Sequence, residues 1–184
     1  MTFENLFVAG GRFEHDGGDI ETIVVPANST IVRGTVLGRA TSTSKYATGN
    51  TVSYTTTGAT QTVTTAVGQV VSFAVASGST GTGTVGNYYQ ALTVQSSINL
   101  DTVTFATDTT NWKNLGAVSG SETTVAVLAE DAVNSTSSVA DVKAVVYKTG
   151  TFNSLGVTFG NGKTVANTKN DLHNVSIEIT LGVA

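Results

Sequence analysis

The sequence predicts a mostly β protein with few short helices, and three observations carry that prediction. Thr and Val are abundant, while Leu, Glu, Lys, Arg and Met are scarce. β-Branched side chains are stiff at χ1 and pack well on a pleated surface. Apolar and polar residues alternate with period two in several runs, the signature of half-buried strands. Twenty glycines, with many Ser and Asn residues, supply the turns between them.

The chain divides into three parts. The first opens on an apolar-aromatic arm that includes Phe3, Leu6 and Phe7, followed by glycine pairs at Gly10-Gly11 and Gly17-Gly18. A strand is predicted over Ile20 to Val25, with Pro26 ending its regular pairing. Thr30 to Arg39 reads as a second β segment, in which Gly34 and Gly38 mark a bulge or a close backbone approach.

The middle part is set apart by charge. No charged residue stands between Tyr46 and Leu100. Alternation predicts strands at Gln61–Thr64, Ala91–Gln95 and Asp101–Ala106, with a mobile glycine-rich loop near Gly81. Disordered segments usually carry net charge and few β-branched residues, so an ordered insertion is expected. The third part has a buried-strand pattern at Thr124–Ala132, a strand within Val139–Lys148, a short helical turn within Asn167–Asn174 and a closing strand at Val175–Leu181. The expected organisation is an arm at 1–18, a core built from 19–45 and 122–184, and an inserted Thr/Gly-rich β subdomain at 46–121.

Charge and motif content narrow the function. The net charge is −4 and the pI about 5.0. Nine basic residues spread singly make no phosphate track, so no nucleic-acid partner is expected. No run approaches the ~20 apolar residues of a membrane helix, and the first residues lack the pattern of a signal peptide. The chain has no cysteine. His15, with Glu14, Asp16 and Asp19, lies in a glycine-flanked loop rather than on the rigid frame a metal site needs. His173 reads as a surface or interface histidine.

Glu130-Asp131 is an acidic pair, but adjacent strand-end residues point to opposite sides, so it reads as turn and cap chemistry. Phe159–Thr164 ends like a P-loop, yet Val157 stands where the pattern requires its first glycine, and Asn161-Gly162 reads as a β-turn. Three N-x-S/T sequons, at Asn28, Asn134 and Asn174, carry little weight without a secretory signal. Tyr88 and Tyr89 alternate faces and Trp112 stands alone, so no aromatic platform for sugar is expected. No catalytic residue, metal or cofactor is predicted, and the expected class is non-enzymatic.

Three segments in the flanking parts carry a resemblance. Ile31–Gly38 resembles the "rGtvLg" segment of lambda-type bacteriophage head-decoration (capsid-cementing) proteins, Val127–Ala132 their "giLaed" strand, and Val145–Asn153 their "vy.tGtF" signature. The order is the family's, over roughly the first 45 and last 60 residues. The uncharged middle is the departure, since short family members join the two parts almost directly.

The resemblance implies a β-clip-like core and a homotrimer on the outer surface of the virion capsid, made in the host cytoplasm. It implies an N-terminal arm that binds the major capsid protein. Phe3, Leu6 and Phe7 are the expected arm anchors. The insertion has two readings: contact with host-surface glycans, or a spacer that widens the contact area. A tail-tube or fibre-associated β protein is the alternative, and a carbohydrate-binding surface module a more distant one.

Overall fold

The computed structural model describes residues 18–74, 82–118 and 123–180. These residues are mostly β, with one α-helix. The first part supplies β1 (Asp19–Val25), β2 (Ser29–Ile31), β3 (Val36–Arg39) and β4 (Tyr46–Thr48). The middle supplies β5 (Val52–Thr55), β6 (Thr62–Thr65), β7 (Val70–Ser72), β8 (Tyr88–Ala91), β9 (Gln95–Asn99) and β10 (Trp112–Gly116). The last part supplies β11 (Thr123–Leu128), β12 (Ala132–Asn134), β13 (Ala140–Tyr147), β14 (Gly150–Asn153), α1 (Val165–Asn174) and β15 (Ile177–Thr180).

Five of these strands close a mixed barrel in the order β1-β13-β11-β3-β4. Its neighbours pair antiparallel, except that β1 meets β4 in parallel through Ile23 and Tyr46. The period-two pattern sends Ile23, Val25, Leu37, Tyr46, Leu128 and Val146 inward, all buried. Tyr46–Thr48 therefore opens the uncharged stretch and at the same time completes the barrel. Gly38 sits opposite a bulge in β11 between Thr124 and Ala126, whereas Gly34, at φ +81°, turns the chain between β2 and β3. The expected Thr30–Arg39 segment is thus two short strands, joined by a turn that Thr35 N–H closes on the Val32 carbonyl at 3.2 Å.

Both walls of the barrel are covered, which explains runs too apolar for simple alternation. Val24 points outward from β1 and packs with Ala40, Ala47 and Val118. On another wall, Val36 and Val127 pack against Phe152, Leu172 and Ile177, contributed by β14, α1 and β15. β14 and β15 pair in parallel.

The helix covers the predicted helical turn and begins two residues earlier. Thr164 and Asn167 form its capping box: Thr164 Oγ1 accepts from Asn167 N–H at 3.3 Å, and Asn167 Oδ1 accepts from Thr164 N–H at 2.8 Å. Thr164→Ala should cost about 1 kcal/mol, read as a lowered urea midpoint at unchanged slope.

The middle part has its own core. Strands β10-β8-β7-β5 form one sheet, and β6 pairs with β9. Phe73, Tyr89, Phe105 and Trp112 are buried together, with Phe105 at the centre. Its ring centroid lies 4.9 Å from Tyr89, 4.8 Å from Trp112 and 5.6 Å from Phe73.

Two expected strands here are corrected. Leu92–Val94 is the turn between β8 and β9, braced by Thr93 Oγ1 donating to Asn111 Oδ1 at 2.6 Å. Asp101–Ala106 is a 3₁₀ turn, Leu100–Thr102, followed by loop. Asn99 Oδ1 accepts from Asp101 N–H at 3.2 Å, and Asp101 Oδ1 accepts from Gly58 N–H at 3.0 Å. These side-chain bonds to the backbone outcompete a strand ladder. The glycine-rich stretch near Gly81 lies largely outside the described residues.

Candidate functional site

The three motif segments, far apart in sequence, meet along one seam of the barrel. Val127 of β11 lies opposite Tyr147 of β13, and Leu128 opposite Val146. On its other side Val127 pairs with Val36 of β3. Leu128 is clamped from the first segment: Gly34 N–H donates to its carbonyl at 2.7 Å, and its own N–H donates to the Thr35 carbonyl at 2.9 Å.

The acidic pair stitches the same seam. Asp131 Oδ1 accepts from Arg33 N–H at 2.7 Å, and Glu130 Oε1 accepts from Val145 N–H at 2.9 Å. Carboxylates on backbone amides make charge-assisted bonds, stronger than neutral ones. Instead of the local turn and cap chemistry expected of Glu130-Asp131, the two carboxylates bond to distant segments. Phe152, the aromatic of the third motif, is fully buried against Val36 and Val127.

Phe3, Leu6 and Phe7 lie outside the described residues, as do Glu14, His15 and Asp16. The chain enters β1 through Gly18, which lies flat on β13. A Cβ at that position would collide with Val145 Cγ1 and stand 2.7 Å from the Val146 carbonyl oxygen. His173 is exposed in the last turn of α1. Among the described residues, no group of three or more His, Cys, Asp or Glu side chains could hold a metal ion.

Trp112 and Tyr89 are buried in the insertion core, and Tyr88 faces the other way. Exposed apolar side chains of the insertion include Val67, Leu92 and Val94, on two turns that Gly68 N–H joins by donating to the Ala91 carbonyl at 2.8 Å. Asn134 has a role that no sequence pattern signals. It is buried, and its Nδ2 donates to the carbonyls of Val25, Pro26 and Ser138. That arrangement makes this sequon residue a structural hub rather than a glycan acceptor.

Lys148 pairs with Glu21 and, at 2.9 Å, with Asp19. Glu21 first, then Asp19, holds its ammonium well above the ordinary lysine range. Burial raises the nearby Tyr46 phenol, and burial lowers the Lys113 ammonium on β10.

The Lys148 proton is bound more tightly in the folded state. Its stabilisation is therefore complete below the unfolded lysine value, ~10.4, and is lost only as the pH rises through the higher folded value. The side chain is 38% exposed, so water screens the pair. Lys148→Met should cost no more than about 1 kcal/mol in urea unfolding, with a constant cost between about pH 6 and pH 9.

Compared with family models, with curated proteins and with solved structures, the chain matches none.

Proposed function

We propose that this chain is a capsid-decoration protein: a homotrimer of β-clip-like cores that binds the outer surface of a phage head and stabilises the expanded capsid. The observation that carries the reading is the convergence of the three motif segments. Arg33 and Asp131 stand 98 positions apart and share one hydrogen bond on the seam that also joins Val145 and Leu128. Segments quoted separately from the sequence thus form one structural unit, as motifs of a single core should.

The activity is mechanical. A barrel covered on two walls is a stiff plug, suited to transmitting load rather than to enclosing a substrate. The arm anchors Phe3, Leu6 and Phe7 would fill pockets on the major capsid protein while their backbone adds a strand to an exposed edge. Three such contacts on one trimer act together, so modest individual affinities give tight decoration. Closed threefold symmetry ends assembly at three copies instead of a filament.

In this reading the insertion is a spacer that widens the trimer's contact area. Native mass spectrometry of the purified protein should give three times the 18.8 kDa chain mass. A monomer or a hexameric ring would reject the trimer, and the ring would favour a tail-tube component.

A further inference from the structure

The Gly160–Lys163 turn, closed by Lys163 N–H donating to the Gly160 carbonyl at 3.1 Å, is the P-loop look-alike that decoration leaves unused. What faces its glycines explains them. Gly160 lies on the Gly49–Asn50 backbone: a Cβ there would collide with the Gly49 carbonyl oxygen and stand 2.7 Å from Asn50 Oδ1. Gly162 has φ +72°, and a Cβ there would stand 2.8 Å from Thr51 Cβ. Two hydrogen bonds close the contact. Thr51 N–H donates to the Asn161 carbonyl at 2.8 Å, and Asn161 N–H donates to Asn50 Oδ1 at 3.0 Å. Asn161 reaches a second place as well: its Oδ1 stands 3.1 Å from where Gly68, at φ +87°, would carry a Cβ. Behind the turn, α1 holds it through Asn167 Nδ2, which donates to the Gly162 carbonyl at 2.8 Å.

These contacts fall at telling places in the chain. Gly49–Thr51 is the link from β4, a barrel strand, to β5, the first strand of the insertion. Gly68 lies in the insertion's β6–β7 turn. A single contact beside a link leaves the insertion free to rotate, whereas a second contact removes that freedom. The end of β10 is packed as well: a Cβ at Gly116, φ +83°, would stand 2.9 Å from Val139 Cγ1 and 3.1 Å from Val24 Cγ1.

We propose that the Gly160–Gly162 turn is a clasp that locks the insertion and the barrel into one rigid body. The C-terminal segment of the core, acting through the entry link and the β6–β7 turn, then fixes the insertion's orientation. This holds or fails independently of the decoration reading.

Because the chain has no cysteine, one label pair can be placed cleanly. Exposed Thr109 in the insertion and exposed Ser137 on the barrel side are suitable, as Thr109→Cys with Ser137→Cys. Pulsed electron–electron resonance on the spin-labelled full chain, diluted with unlabelled chain, should give one narrow intramolecular distance. Adding Gly160→Ala should abolish the narrow distance and leave a broad distribution. Asn50→Ala, which removes the acceptor without adding bulk, should broaden it as well and decides the matter where Gly160→Ala does not fold. A broad distribution in the labelled parent overturns the proposal. So does a narrow one that survives in every folded variant.

Discussion

Phe105→Ala is expected to destabilise the insertion by about 3–5 kcal/mol, the range for deleting a buried aromatic ring. Phe105 is 2% exposed and touches three other rings, so its removal leaves a cavity and also forfeits the edge and tilted ring contacts. The readout is built in. Trp112 is the single tryptophan and packs 4.8 Å from Phe105, so its fluorescence follows the insertion core alone. Urea unfolding followed at Trp112 should shift strongly. A loss below about 1 kcal/mol would mean that the aromatic cluster is not the core of this subdomain.

Removing Met1 to Phe7 should abolish binding to heads while leaving a folded trimer. The arm carries Phe3, Leu6 and Phe7, and the described barrel closes without it: its five strands pair among themselves, and its core residues all lie between Ile23 and Val146. Stability of the deletion variant should stay close to that of the whole chain, and co-sedimentation with expanded heads should disappear. Full occupancy by the truncated protein would show that the arm is not the anchor.

The fold was legible where a local pattern decides it. Apolar runs located β1, β11 and β13, alternation located β6 and β15, and Pro26 marked the end of β1. Local pattern failed where side chains bond to the backbone. Asp101–Ala106 alternates like a strand, but Asn99 and Asp101 hold it in a 3₁₀ turn. Leu92–Val94 is another such case, tied to Asn111 through Thr93.

Long-range closure was not legible at all. Nothing about Tyr46 in an uncharged run indicates that it lies beside Ile23 and seals the barrel. The same limit applies to the seam. Each motif is a local run of residues, but the bonds from Asp131 to Arg33 and from Glu130 to Val145 depend on the folded register. Asn134 and Asn50, ordinary polar residues in sequence, likewise gained their roles only from burial.

On the decoration proposal a phage encodes this chain, and the most direct test is to add the purified chain to that phage's expanded, undecorated heads and image them by cryo-electron microscopy. A decoration protein should give trimeric density on the outer surface at threefold and quasi-threefold positions. Bare heads at saturating protein, or density confined to tails, would contradict the proposal.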